Sequence, residues 1–435
     1  MTAESKGLVR SLGRWTLAGL VLNTIIGSGV YGLPSVVSGK VGGSAWIAWV
    51  LAAAAIGVIV LCFAEVSSRF REAGGQYLYA RVAFGPFVGV QMGWASYLVR
   101  ATSVATNVNL LTIYLAEFLP TVGQGAGPII VATVYLGAMA WLNVIGVKQA
   151  AWVSSALLLI KIVPLLAFAG VGLGLALGRG AVVPDPVAIS GSLTWVEAVL
   201  VLIYAYGGFE SAMFPLSEAR NPERDAPFAL LIGLVGCLLL FTTVQLVVTF
   251  TLPDAGSHSR ALADAARALV GAPGATFMAL GAVLSLIGWG MSVVLLSPRL
   301  TYAMAEHGDA PKIFGRVHPT YRTPAFSIVA FAVLSFVLAI SGSFLQNLTI
   351  AVISRLFTYA LVCLALPVLR RREGTDPRIG PARFRLPAGT LLAVLGVVIT
   401  LGLAVRMTTR EAVIMLVVAA LASVSYWLSP ARRAA

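Results

Sequence analysis

Two short glycine-interrupted stretches carry the chemistry available to this chain. The first reads Asn23-Thr24-Ile25-Ile26-Gly27-Ser28-Gly29, the second Tyr204-Ala205-Tyr206-Gly207-Gly208-Phe209-Glu210-Ser211. Each interrupts an apolar run that would otherwise be helical. Unwinding a helix frees backbone N–H and C=O groups, which at membrane depth is tolerable only where they line a cavity. The half-helix restarting after Gly27-Ser28-Gly29 presents N–H donors and the positive end of its dipole, which suits a carboxylate. The last carbonyls before each break, around Ile25 and from Tyr204 to Gly207, suit an ammonium group. A free α-amino acid offers both charges a few ångström apart, and glycine lets its backbone approach closely.

Glycine also serves ordinary close packing of membrane helices, so one such cluster says little. Two clusters, each opening one half of the chain, point to an inverted-repeat transporter with two discontinuous helices. Ionisable groups in the apolar runs add to this, because a charge at mid-bilayer costs about 2.5–3.5 kcal/mol and is retained for a reason. Glu210 lies in the second break. It is expected to exchange a proton during transport, the alternative being a hydrogen-bonding anchor for the break. Lys161 lies in the fifth apolar segment, about 20 Å from its start at 1.5 Å per residue. It is expected to act within the transport cycle rather than to snorkel to the surface. Arg100 and Arg355 either border the pathway or pair structurally. Glu65 and Glu197, near segment ends, read as gate or interface residues.

The elements that must position these groups follow from composition. Of 435 residues, 59% are hydrophobic and 11% charged, against roughly 45–50% and 25% in soluble domains. Mean hydropathy is +0.92. An integral membrane protein is implied. Twelve apolar segments approach the roughly 20 residues a span needs: 14–37, 44–68, 84–117, 127–146, 148–178, 193–217, 226–252, 273–305, 324–341, 346–369, 385–406 and 411–428. An even number places both termini on one side. With the termini cytoplasmic, only Lys40, Arg179, Arg260, Arg267, Arg406 and Arg410 among the loop cations fall outside, as the positive-inside rule requires. The net charge of +13 is thus a topology signal, and no nucleic-acid partner is expected. Cys62, Cys237 and Cys363 sit singly in apolar runs, and His258, His307 and His318 are scattered. No disulfide framework, metal site or other cofactor is expected. The chain lacks a Walker A sequence and an HExxH motif, which argues against ATP drive and against an enzyme.

Four patches together resemble the amino acid–polyamine–organocation (APC) superfamily of amino acid permeases. They are Ile25-Ile26-Gly27-Ser28-Gly29-Val30-Tyr31; Phe63-Ala64-Glu65 with Gly74-Gly75-Gln76-Tyr77; Tyr206-Gly207-Gly208-Phe209-Glu210-Ser211-Ala212 with Glu218-Ala219-Arg220-Asn221-Pro222; and Pro298-Arg299, Tyr302-Ala303-Met304-Ala305, Gly308, Pro311, Val317-His318-Pro319 and Thr323-Pro324. The resemblance covers nearly the whole chain. It implies an all-α membrane protein of twelve transmembrane helices with the LeuT-like 5+5 inverted repeat, helices 1–5 at 14–178 and 6–10 at 193–369, plus two peripheral helices at 385–428. Residues 1–13 and 429–435 become cytoplasmic tails. It implies alternating access in the cell membrane, with an amino acid or related amine as substrate. Residue by residue, it assigns Ile25, Ser28, Gly29, Tyr204, Gly207, Gly208 and Trp289 to substrate binding and Tyr206 and Phe209 to gating. Gly288-Trp289 is similar to the Gly-Trp of arginine/agmatine exchangers, but Tyr204 stands where those carry tryptophan, so arginine specificity does not follow. Lys161 takes the place where sodium-dependent relatives bind a cation, between helices 1 and 8 and near Gly27. The expectation is therefore a proton-coupled, sodium-independent permease working through Glu210 and Lys161. The alternative is an amino acid/amine exchanger moving no net proton.

Overall fold

The computed structural model describes residues 13–70, 75–146, 151–180, 191–211 and 221–428, and of 151–158, 192 and 222 the backbone only. Gly74, Ala212, Glu218-Ala219-Arg220, the rest of the sixth segment beyond Ser211, and both terminal tails lie outside the described residues. Among the described residues every regular element is a helix. In chain order they are α1 (Arg14–Ile25), α2 (Ser28–Val41), α3 (Ala45–Ser67), α4 (Gly75–Phe84), α5 (Pro86–Leu115), α6 (Gly127–Val144), α7 (Ala151–Gly178), α8 (Ser192–Tyr206), α9 (Pro222–Thr251), α10 (Ala261–Val270), α11 (Ala272–Glu306), α12 (Ala325–Ser341), α13 (Phe344–Arg372), α14 (Gly389–Ala404) and α15 (Thr409–Trp427).

Helix falls in each of the twelve apolar segments. Eight stretches among the described residues are long and apolar enough to cross a membrane. The other four segments fall short for separate reasons. The first is broken at Ile26-Gly27, and its second half runs on into the stretch containing α3. The α5 helix is 30 residues long but polar inside, carrying Arg100, Thr102, Ser103, Thr106, Asn107 and Asn109. The α12 and α14 helices are 17 and 16 residues. Several boundaries move from expectation, the seventh segment beginning at Pro222 among them. The third segment begins at Pro86 because Gly85, at φ 94°, turns the chain after α4. The eleventh begins at Gly389. The loop between the seventh and eighth segments also contains a helix, α10. One face of it, with Leu262, Ala265 and Leu269, is buried against the bundle.

Polar α5 is tolerated because it runs through the middle of the bundle, against α4, α11, α12, α13 and α15. Several of its polar side chains donate to backbone carbonyls, which offsets the cost of burying them. Thr102 and Thr106 donate back to Leu98 and Thr102 carbonyls, both at 2.8 Å. Asn107 donates to the Leu286 carbonyl at 3.2 Å and Asn109 to that of Ala339 at 2.9 Å. The outer helices show the reverse. Leu391, Val398 and Leu401 on α14 and Leu416 and Leu421 on α15 are exposed, an arrangement that suits lipid as the surrounding solvent. Elements five apart in the expected repeat also pack on one another: α2 on α8, α3 on α9, α5 on α11 and α6 on α12.

Candidate substrate-binding site

At the first break the chain leaves helical geometry at Ile26 (φ −71°, ψ 98°) and Gly27 (φ −141°, ψ −145°). The final carbonyls of α1 lose their helical donors there and need others. Two side chains from distant helices supply them. Lys161 on α7, 1% exposed, donates through Nζ to the Asn23 carbonyl at 3.1 Å and to Asn23 Oδ1 at 2.7 Å. The Trp289 indole N–H, from α11, donates to the Thr24 carbonyl at 3.1 Å. The same indole lies over Gly27, where a Cβ would come within 3.1 Å of it. On the other side of the break α2 starts without a side-chain cap, and Ser28 and Gly29 are buried. Ser28 Oγ and the Tyr204 hydroxyl are 2.8 Å apart, and that hydroxyl also lies 3.4 Å from the Ser103 carbonyl.

The second break is held mainly by its own carboxylate. After α8 the chain passes through Gly207 and Gly208 into a 3₁₀ turn at 209–211. Gly208 sits at φ 108°, a left-handed conformation that favours glycine, and a Cβ there would strike the Thr24 carbonyl. Its N–H donates to Glu210 Oε2 at 2.9 Å, and the Tyr359 hydroxyl donates to the same oxygen at 3.2 Å. Arg355 Nε lies 3.1 Å from Glu210 Oε1 as an ion pair. Arg355 Nη1 also reaches the Tyr204 carbonyl at 3.4 Å. Glu210 is thus an ion-paired acceptor at the break.

The two breaks lie against each other. A Cβ on Gly29 would be 2.6 Å from Ala205 Cα, so only a residue without a side chain lets α2 and α8 approach this closely. A cavity bordered by Gln76 and Tyr77 of α4 reaches the breaks. Thr24, Gly208, Glu210, Trp289, Arg100 and Arg355 are among its lining residues. Ile25, Ser28, Gly29, Tyr204 and Gly207 are buried close to these positions in the chain and do not line the cavity themselves. Tyr206 and Phe209 do not line it. The Tyr206 hydroxyl donates to the Trp49 carbonyl at 3.1 Å. Phe209 stacks on Tyr359 at 5.5 Å and meets Phe63 edge-on at 5.1 Å. Asn23 and Tyr359 are participants that sequence reasoning left without a role. Tyr359 stands four residues after Arg355, so the two share a helix face, and that spacing was the available signal.

Charged clusters tie both ends of the bundle. At one end, fully buried Glu65 on α3 accepts from Arg69 at 2.8 Å, from Arg370 at 2.8 and 2.6 Å, and from the Leu386 N–H at 2.8 Å. Arg69 also donates to Glu373 at 2.8 Å and holds that carboxyl below the usual carboxylate range. At the opposite end Glu197 pairs with Lys40 at 2.8 Å and with Arg406. Glu117 there takes Arg260 at 3.1 Å and Arg267. Glu65 and Glu197 therefore both sit in interfaces between helices.

A protein of this shape, with two facing helix breaks beside a cavity in a bundle of apolar helices, has the form of a membrane transporter. A family model described as amino acid permease matches residues 12–425. The chain belongs to that family, within the APC superfamily. It is similar to the methylthioribose transporter of Bacillus subtilis (strain 168), 28% identical over 88% of this chain and 86% of the relative. The serine/threonine exchanger SteT of the same organism is 26% identical, covering 87% of each chain. Its branched-chain amino acid permease BcaP is 26% identical over 87% of this chain and 84% of the relative. The protein is accordingly a multi-pass membrane transporter, not an enzyme.

Proposed function

We propose that this chain is a secondary transporter that moves an amino acid across the cell membrane by alternating access. In this reading it has twelve spans, a 5+5 inverted repeat and cytoplasmic termini. The observation that carries it is the contact between the two breaks, Gly29 against Ala205 and Gly208 against Thr24, beside the cavity. The packing of elements five apart supports the repeat. Ser28 and Gly29 amides hold the substrate carboxylate, the carbonyls of Ile25, Tyr204 and Gly207 at the breaks hold the ammonium group, and Trp289 closes over the bound molecule. Tyr206 and Phe209 anchor the moving helix 6 on its neighbours, and the cavity belongs to the inward-open state.

Coupling in this reading is to protons, without sodium. Of the two candidate groups, Lys161 is favoured as the proton carrier. Its ammonium faces the neutral oxygens of Asn23, so it can lose a proton without stranding a partner charge, and while charged it fills the place of a cation beside the first break. Glu210 is ion-paired with Arg355, which suits a fixed carboxylate that shapes the second break. Exchange without net proton movement is the second reading, favoured by similarity to a serine/threonine exchanger. Uptake of labelled amino acids into proteoliposomes tests both, with and without amino acid inside, under an imposed pH gradient, and with choline replacing sodium. Gly29→Val abolishes binding in the folded protein, and amino acid methyl esters bind poorly. An ester that binds as well as the free acid contradicts the carboxylate assignment.

A further inference from the structure

The wall of the cavity is cationic. Among the described lining residues the charged side chains are Arg100, Arg355 and Glu210. Glu210 is already committed: one oxygen takes the Gly208 N–H and the Tyr359 hydroxyl, and the other faces Arg355. Arg355 is ion-paired with that carboxylate and lies over the Tyr204 ring at 5.7 Å, but its five N–H donors exceed the acceptors these contacts supply. It is 4% exposed, its Nε has no aligned hydrogen bond despite the nearby carboxylate, and its contact with the Tyr204 carbonyl is long at 3.4 Å. A buried guanidinium with donors in hand is costly unless a further acceptor completes it. Gly207 lets it lie directly against the unwound backbone, since a Cβ there would collide with the guanidinium. Arg100, on α5, borders the same space and lies within the field of both Glu210 and Arg355.

From this arrangement we infer that the site selects amino acids whose side chain carries a carboxylate, received by Arg355 with Arg100 as the second cation beside it. The inference rests on the reading of the breaks as an amino acid site and names the substrate class for it. The α-carboxylate and α-ammonium of any amino acid cancel in charge, so the side chain decides the fit. A side-chain carboxylate supplies Arg355 with the planar acceptor that its fork of donors matches, in a space bordered by two guanidiniums. A lysine or arginine side chain would enter a low-dielectric space beside two like charges and is rejected.

The test uses the full chain in proteoliposomes and the near-isosteric pair L-glutamate and L-glutamine, with L-aspartate, L-leucine and L-lysine as further competitors. Charge-assisted hydrogen bonds contribute enough for glutamate to bind roughly tenfold to a hundredfold tighter than glutamine. In Arg355→Gln that ratio falls to near one, chiefly by loss of glutamate affinity. Arg100→Gln lowers it less. If Arg355→Gln does not fold, the ratio in the unmodified protein and in Arg100→Gln decides. Glutamine bound as well as glutamate, or lysine taken up, overturns the substrate class while leaving amino acid transport standing. Uptake of no amino acid at all overturns both.

Discussion

The two helix breaks solve one problem in opposite ways. The first contains no carboxylate of its own. Its freed carbonyls are satisfied from outside, by the Lys161 ammonium and the Trp289 indole on helices far away in sequence. The second carries Glu210 within it, which turns back onto the Gly208 N–H and draws Arg355 and Tyr359 around itself. One break is thus held by donors that can withdraw, and the other by a closed ion-paired knot. A cation over neutral oxygens can lose its proton or move away at small cost. A buried ion pair cannot lose one member without leaving the other unbalanced. In the proposed reading, movement and proton exchange therefore belong to the first break and shape to the second.

The largest expected effect breaks the knot. Glu210→Gln keeps an acceptor for Gly208 but leaves the Arg355 charge buried alone, so the purified protein loses about 3–5 kcal/mol of stability, read as a lower unfolding temperature. If the unfolding temperature stays unchanged, the second break is not held by the pair. Gly208→Ala comes next. Forcing a side chain into the left-handed region costs about 1–3 kcal/mol, and its Cβ meets the Thr24 carbonyl, so uptake falls with stability. Lys161→Ala is smaller in stability and larger in function. It removes two hydrogen bonds, about 1–3 kcal/mol when acceptors are left buried, but also the cost of burying an ammonium. Net unfolding temperature therefore moves little, while transport is lost and substrate affinity stays within a few-fold. Trp289→Phe is the mildest. It removes one neutral hydrogen bond to Thr24, about 0.5–1.5 kcal/mol, and keeps the ring over Gly27; uptake kinetics should show a modest change. A complete loss of uptake there would make the indole N–H indispensable and the first break more rigid than this comparison holds.

The breaks were legible in the sequence because two glycine clusters stand in matching places, each opening one half of the chain. Lys161 was legible in depth from its distance to the segment start, and the resemblance put it near Gly27 at the first break, but Asn23 as the residue it meets was not legible. Asn23 precedes it by 138 residues, and no local pattern joins the two. The Glu210–Arg355 pair was hidden for the same reason: each residue stood out as an intramembrane charge, yet nothing in the chain said that they meet. The α10 helix escaped because ten alanine-rich residues with Asp264 and Arg267, lying between two long apolar segments, read as loop. The α5 helix read correctly as a segment but not as a central one; its polar residues only make sense once the carbonyls of Leu286 and Ala339 are beside them. Patterns set by one helix's own period can be read from sequence. Pairings across the bundle depend on how helices pack.

The most direct test of the central claim is the pH dependence of substrate uptake in sodium-free proteoliposomes, measured in parallel for the unmodified protein, Lys161→Ala and Glu210→Gln. Uptake by the unmodified protein should rise with an inwardly directed proton gradient and be indifferent to replacing sodium with choline. Glu210→Gln, in whatever fraction remains folded, should keep that gradient response at reduced rate. In Lys161→Ala the residual uptake should no longer respond to the gradient. A Lys161→Ala protein whose uptake still follows the proton gradient, beside a Glu210→Gln protein whose response is flat, would contradict the account and move the proton to the second break.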